Sequence, residues 1–193
     1  DVRGEMVSWG KAARGIALGV GVVAVAAGCN SGDGSSNATK SVSATAAVAA
    51  DVPAGFDACN IPQSVVQSEE LKNKGVDSQD GAGGIKWRGC RWIQPDGYSA
   101  TIDTTNITLA MVRSNKDFSV DEEVTVAGRS ALTSHVAGQD PHADCVINVE
   151  IKGGSIEISI DNPPTRRKSG DQNSCGIAKR LAGEIAPAIP ASL

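Results

Sequence analysis

The sequence has few of the residues on which most hydrolytic and metal chemistry depends. Only two of its 193 residues are histidine, no two cysteines have the CxxC spacing of a structural zinc site, and no GxSxG turn is present. These absences argue against the common structural zinc sites and the α/β-hydrolase pattern.

The chain also has no strong excess of positive or negative charge. The chain has 18 basic and 22 acidic residues, and its formal net charge is -4. Basic segments interleaved with aromatic residues, which are typical of nucleic-acid-binding proteins, are absent. We therefore expect no nucleic-acid partner.

The longest apolar segment is too short for a membrane-spanning helix. It covers residues 15–30, GIALGVGVVAVAAGCN, and follows Lys11 and Arg14. A span needs about 20 apolar residues. A shorter run that follows positive charge and ends in small residues is typical of a secretory signal peptide. We therefore predict that residues 1–28 are a signal peptide, with Met6 as the expected start.

The end of this segment has a cysteine after three small residues, Ala26, Ala27 and Gly28. This pattern resembles the lipobox of bacterial lipoproteins, in which Leu or Val is commoner than Ala26. The resemblance implies that Cys29 is lipidated on sulfur, becomes the mature N-terminus and anchors the protein to the outer face of the cell membrane. The alternative is an ordinary secretion signal with an incidental cysteine.

Residues 29–53 have the composition of a flexible tether. They are mostly Ser, Ala, Gly, Thr, Asn and Val, with almost no large apolar side chain. Such a segment cannot bury enough surface to offset its ordering entropy. A single globular domain is therefore expected over residues 54–193.

The other four cysteines form an even set, which in an exported chain indicates two disulfides. Three pairings are possible among Cys59, Cys90, Cys145 and Cys175. We favour Cys59 with Cys90 and Cys145 with Cys175, because each of these bonds would join a helix end to a strand. Each would close a loop of about 30 residues and stabilise the fold by roughly 3 to 4 kcal/mol.

The first part of the domain predicts a helix, a loop and a hairpin. Within residues 56–75, Pro62 suits a first helical turn and Gly75 suits a helix end. The Gly- and Asp-rich residues 77–84 predict a loop. Residues 85–103 predict a hairpin whose three-residue loop ends with Gly97 in the left-handed region. That register pairs Trp92 with Ala100 and Cys90 with Ile102, and it turns Trp87 to the opposite face.

The middle and end of the domain predict further strands and a closing helix. Residues 107–113 alternate as a strand, 124–127 and 130–136 predict two short strands, and 145–160 predict a hairpin that turns at Gly153 and Gly154. With that turn Ile151 would face Ile156, and the polar face that includes Asn148 and Glu157 would be open to water. A helix capped by Asn173 or Ser174 is expected to follow and to end at Pro187. Its apolar stripe would be Ile177, Ala178, Leu181, Ala182 and Ile185.

Together these elements predict an α+β fold. We expect a single curved antiparallel sheet of about five to seven strands, packed by an N-terminal and a C-terminal helix and carrying two disulfides.

Two groups of side chains are candidates for a functional site. His135, Asp140, His142 and Asp144 have the right atoms for a divalent metal, although their spacing matches no known ligand frame and solvated loop residues would look the same. Trp87 with Arg88 and Arg91 could bind a sugar or an anionic head group. The alternative is that a neighbouring helix or loop covers Trp87.

The order of these features resembles an actinobacterial lipoprotein family of unknown function, found in mycobacteria and nocardiae. Asp57 and Cys59 match its Asp-Pro-Cys motif with Ala58 in place of proline, and Cys90 with Trp92 matches its Cys-x-Trp motif. The resemblance implies four structural cysteines and an extracytoplasmic location, and it supplies no catalytic residue.

We therefore expect a lipid-anchored, non-enzymatic binding or accessory domain of the cell envelope, without a cofactor. Its partner would be an envelope protein, a wall component or a small ligand. A metal-dependent hydrolase using the His/Asp cluster is the alternative from the enzyme class. A surface antigen without a ligand or a sizeable apolar pocket is a third possibility.

Overall fold

A computed structural model describes residues 48–193 of the chain. The described residues form three α-helices and seven strands, and two short 3-10 turns lie at Ala82–Gly84 and Ala186–Ala188. In chain order the elements are α1 (Gln63–Ser68), β1 (Lys72–Asp80), β2 (Lys86–Ile93), β3 (Ser99–Thr105), α2 (Leu109–Ser114), β4 (Phe118–Val126), β5 (Arg129–Val136), β6 (Asp144–Ile151), β7 (Gly154–Asp161) and α3 (Ser174–Ile185).

The strands form one open antiparallel sheet in the order β1-β2-β3-β7-β6-β5-β4. This confirms the predicted α+β class, with seven strands and a helix near each end of the domain. The predicted signal peptide and Cys29 lie outside the described residues. Within those residues the longest helix has 12 residues, and none has the length and apolar character that crossing a membrane requires.

We call the face of the sheet that packs against α1 and α3 the inner face. Its core joins Val65 of α1 and Leu181 of α3 to apolar side chains of the strands, including Trp92, Ile102 and Ile147. Alternation along the central strands sends every second side chain into this core. Helices α1 and α3 and the sheet therefore share one main hydrophobic core.

Helix α3 follows the prediction closely. The Asn173 side chain accepts a hydrogen bond from the Gly176 backbone nitrogen at 3.1 Å, which caps the first turn. All five residues of the predicted apolar stripe are buried. The helix therefore forms because its cap and its 3.6-residue periodicity agree.

Both predicted disulfides are confirmed. Cys59, in the segment before α1, is bonded to Cys90 of β2, and Cys145 of β6 is bonded to Cys175 in the first turn of α3. Each bond links the sheet to a helix or to the segment that leads into it. The two bonds thereby fasten both helical elements of the inner face.

The predicted register of the β2–β3 hairpin is also confirmed, since Trp92 pairs with Ala100 and Cys90 with Ile102. The loop geometry differs in one respect. The residue with a positive φ is Asp96, at 60°, and not Gly97 as predicted. Aspartate tolerates this region better than most residues do, and Pro95 before it favours a turn of this kind.

The β6–β7 hairpin has a different register from the prediction. Ile151 pairs with Gly154, so the turn consists of Lys152 and Gly153, and the predicted pairing of Ile151 with Ile156 is wrong by two residues. Gly153 takes the positive φ, at 86°. Gly154 is the first residue of β7, and a Cβ atom there would overlap the backbone carbonyl oxygen of Thr105. The shift by two keeps the same side chains on the inner face.

Helix α2 replaces the strand predicted over residues 107–113. The Thr108 hydroxyl accepts from the Met111 backbone nitrogen at 3.3 Å, and Leu109 and Val112 are buried three positions apart on one side of the helix. The apparent alternation of Ile107, Leu109 and Met111 was misleading because the helix cap and the i, i+3 contact dominate.

Strand β1 replaces the end of the predicted first helix and much of the predicted loop over 77–84. The helix α1 ends at Ser68, and Gly75 lies inside β1 at an irregular step in its pairing with β2. Every residue of β1 except Asp77 is exposed. An edge strand that buries so little has no hydrophobic alternation from which to predict it.

Candidate functional site

A row of polar side chains crosses the face opposite α1 and α3, which we call the outer face. Neighbouring strands place Asp77 opposite Gly89, Gly89 opposite Asp103, and Asp103 opposite Glu157. Asn148 pairs with Glu157 and continues the row. We call Asp77, Asp103 and Glu157 the acidic row.

Glu157 is held in place by two donors. The Trp87 indole nitrogen donates to Glu157 Oε1 at 3.1 Å, and the Asn148 amide donates to Glu157 Oε2 at 3.0 Å. Burial raises the pKa of Glu157 above its usual value, although these two hydrogen bonds oppose the rise. The negative charge of Asp77 raises the pKa further. Glu157 is therefore a fixed acceptor whose charge is poorly compensated.

The polar contacts continue from Glu157 towards α2. The Asn148 amide also donates to the Ser155 hydroxyl at 3.0 Å, and that hydroxyl donates to the Ile107 carbonyl at 2.8 Å. Asn148 and Ser155 are both buried. This chain of hydrogen bonds fixes the orientation of the Glu157 side chain.

Asp103 is the most unusual member of the row. Its side chain is only 4% exposed, and its Oδ1 atom has no hydrogen-bond partner. Burial, with smaller effects from Glu157 and Asp77, raises the pKa of Asp103 to about 8. An isolated buried carboxylate is unfavourable, so Asp103 binds a proton near neutral pH unless another positive charge replaces it.

Gly89 makes room for this carboxylate. A Cβ atom at Gly89 would overlap both Asp103 Oδ1 and the Ile102 carbonyl oxygen. Asp103 Oδ1 therefore lies over Gly89, in the gap that the glycine leaves between Asp77 and Asp103. In chemical terms, the row can hold a proton or a cation.

Sequence reasoning missed this row. It assigned Asn148 and Glu157 to a face open to water, whereas Asn148 is 1% exposed and Glu157 is half-buried. The outer face is covered in part by buried apolar residues that do not belong to the main core. They are Ile85, Trp87, Ile107, Leu109, Val112 and Leu132. A helix was not expected at α2, so nothing in the sequence pattern predicted this cover.

Strand alternation places Trp87 and Arg91 on the outer face of β2 and Arg88 on the inner face. Trp87 is 8% exposed, and its ring packs against Gly81 so closely that a Cβ atom there would lie 2.8 Å from the ring. Arg88 alternates with Trp87 and so belongs to the inner side of β2, where its guanidinium donates to the Gln79 carbonyl and pairs with Asp80. Neighbouring residues therefore cover Trp87, as the alternative prediction for this residue expected.

The predicted His/Asp cluster is not brought together as a metal site. Among residues 48–193, the only three metal-competent side chains whose ligand atoms lie within 4.8 Å of one another are Asp121, Cys145 and Cys175, and both cysteines are in a disulfide. The His135 imidazole contacts Asp121 at 2.8 Å, and Asp140 accepts from the His142 backbone nitrogen. Nothing in this arrangement supports the hydrolase alternative.

An apolar groove lies at the open edge of the sheet. It has a volume of about 350 Å³, and its lining includes Val52, Pro53, Phe56 and Val76. Val76 is 78% exposed, the highest value among the large hydrophobic residues described as exposed. The domain therefore has both a polar and an apolar surface feature.

Comparison with known proteins adds one finding. A family model described as "Protein of unknown function (DUF3558)" matches residues 24–188. No curated protein and no solved structure matches the chain.

Proposed function

The chain belongs to DUF3558, a family of proteins of unknown function, and from that premise we propose that it is an exported, lipid-anchored binding domain of the cell envelope. The two disulfides carry this proposal. Such bonds persist in oxidising compartments outside the cytoplasm and are rare in reducing ones.

The arrangement of the cysteines supports a separate role for Cys29. Four of the five cysteines pair within the described domain, so Cys29 is the remaining one. It follows an apolar run and three small residues, a pattern that suits lipidation. A single acyl chain binds membranes only weakly, and two chains on one cysteine would give a stable anchor.

The outer face supports binding as the role of the domain. Its acidic row is ordered by Trp87 and Asn148 and ends at the exposed edge strand β1. We propose that a cationic ligand, or a positively charged group of a partner that reaches the row from its exposed end at β1, is recognised here.

Metabolic labelling tests the anchor. The full chain, produced in an actinobacterial host with a clickable palmitate analogue, should incorporate label, and Cys29→Ser should abolish it. Gly28→Ala, which keeps a small residue before the cysteine, serves as the matched control and should remain labelled. Equal labelling of wild type and Cys29→Ser would overturn the proposed anchor.

Site-specific crosslinking tests the binding face. A photo-crosslinking residue at Ser159, which lies on the outer face two residues after Glu157, should give discrete adducts in native membranes. The same residue at Thr165, in the exposed loop before α3, is the control. Identical adducts at both positions, or none at Ser159, would contradict binding through the outer face.

A further inference from the structure

We propose that the acidic row binds a hard divalent cation, Ca²⁺ or Mg²⁺, through Asp103 and Glu157, with Asp77 as an outer ligand. The proposal does not depend on the lipid anchor, because all three residues lie in the sheet of the described domain. It also differs from the predicted His/Asp cluster, with which it shares no residue.

The first argument is an unpartnered oxygen. Asp103 is 96% buried, and its Oδ1 accepts no hydrogen bond from the protein. Buried polar atoms are nearly always paired, so an orphaned carboxylate oxygen points to a missing partner. Oδ1 lies over Gly89 and so faces along the row towards Asp77.

The second argument is the sign of the surrounding charge. The charged groups that shift the pKa of Asp103 are Glu157 and Asp77, and both are acidic. The hydrogen bonds to Glu157 come from neutral donors, Trp87 and Asn148. A positive charge placed beside Asp103 Oδ1 would therefore relieve this repulsion and also satisfy that oxygen.

The third argument concerns ligand chemistry and spacing. Carboxylate oxygens suit Ca²⁺ and Mg²⁺, and Mg²⁺ is often held by one or two carboxylates with water completing its shell. Directly opposed residues on neighbouring strands have Cβ atoms about 5 Å apart, so Asp103 and Glu157 can contact one ion. Asp77 is two strands from Asp103, about 10 Å, and would act through a bound water.

The surroundings of Glu157 resemble the outer shell of a metal site. Its two oxygens receive hydrogen bonds from Trp87 and Asn148, which fix the direction of the remaining lone pairs. Such contacts orient a carboxylate before the ion arrives. Trp87 also places an indole beside the site, which makes a lanthanide probe suitable.

Terbium luminescence tests the proposal on the purified full chain with both disulfides formed. Tb³⁺ substitutes for Ca²⁺ and emits when a nearby indole is excited. We expect saturable emission sensitised by Trp87 and displaced by Ca²⁺ or Mg²⁺. Trp87→Phe should remove the emission. Because it also removes the donor to Glu157 Oε1, it should weaken the Ca²⁺ binding that calorimetry measures without abolishing it.

Two isosteric variants distinguish binding at the acidic row from nonspecific attraction of the ion to acidic side chains. Asp103→Asn should weaken binding by about tenfold or more. Asp161→Asn is the matched control, because Asp161 lies exposed on the same strand as Glu157, about 13 Å away along the strand. It should bind as the wild type does, and circular dichroism should show that both variants are folded.

Three results would overturn the site. The first is emission that does not saturate, which would indicate an adventitious ion only. The second is unchanged affinity in folded Asp103→Asn. The third is an equal loss in Asp103→Asn and Asp161→Asn, which would mean that the ion responds to net charge and not to the acidic row.

Discussion

Gly89 lies directly opposite Asp103 in the β2–β3 pair, and the Asp103 carboxylate occupies the space above the glycine. A Cβ at Gly89 would also overlap the Ile102 carbonyl oxygen. We therefore expect Gly89→Ala to lower the free energy of unfolding by about 1 to 3 kcal/mol or more, because the backbones of β2 and β3 would have to separate. Urea denaturation measures the loss.

Gly183 provides the opposite control. It lies in the last turn of α3, and a Cβ there would meet no atom within 4 Å. Gly183→Ala should raise the free energy of unfolding by about 0.5 to 1 kcal/mol, since alanine favours a helix. If both substitutions changed stability in the same direction, the steric explanation for Gly89 would be wrong.

The raised pKa of Asp103 predicts a pH dependence of stability. In the folded protein its pKa is about 8, whereas its ordinary value is 3.8, so the folded state holds the extra proton between these pH values. Stability should therefore fall as pH rises from about 4 to about 8. Asp103→Asn carries no such proton, and its stability should exceed that of the wild type by a margin that grows over this range.

The measurement is chemical denaturation at several pH values with a chelator present, so that no divalent cation contributes. Glu157 on the neighbouring strand β7 and Asp77 two strands away on β1 are retained in both proteins, so the difference between the two proteins reports on Asp103. A margin that stayed constant from pH 4 to pH 8 would show that Asp103 is not an uncompensated buried acid.

The parts of the fold that could be predicted are those with a strong local pattern. The β2–β3 register followed from the length of one loop, and α3 followed from its cap and apolar stripe. Strand β1 could not be predicted, because its exposed residues show no alternation. The β6–β7 register required knowledge that Gly154 contacts the Thr105 backbone of another strand.

The acidic row depends on such long-range pairing throughout. Asp103 and Glu157 meet only because β3 pairs with β7, and these strands are not consecutive in the chain. An aspartate in one hairpin and a glutamate in another give no local signal of contact. By contrast, the disulfides could be predicted because only three pairings existed and one of them suited the predicted elements.

The two disulfides should contribute nearly equally to stability. They span 31 and 30 residues, so the chain-entropy model assigns each about 3 to 4 kcal/mol. We expect Cys59→Ala with Cys90→Ala, and separately Cys145→Ala with Cys175→Ala, to lower the free energy of unfolding by that amount. Urea denaturation of the two double variants checks it, and a loss below about 1 kcal/mol in either would contradict a structural role.

The contact between α3 and the end of α1 depends on a nearly buried glutamate. Arg180 Nε and Nη2 lie 2.7 and 3.1 Å from the two oxygens of Glu69, and the Tyr98 hydroxyl donates to the same carboxylate at 2.7 Å. Arg180→Met would leave Glu69 buried without its cation. Because Arg180 itself is partly exposed, we expect a loss of about 1 to 3 kcal/mol near neutral pH.

The pH dependence of that loss identifies its cause. Burial raises the pKa of Glu69, but the hydrogen bonds from Arg180 and Tyr98 lower it by more, so the net pKa lies below its usual value. The ionised pair therefore stabilises the fold above about pH 4.5, and this contribution is lost as the pH falls. The loss of stability caused by Arg180→Met should accordingly shrink in acid.

Lys179→Met is the control, because it breaks the more exposed ion pair with Glu122. It should lower the free energy of unfolding by only about 0 to 1 kcal/mol. A comparable loss in both variants would show that Glu69 does not depend specially on its cation.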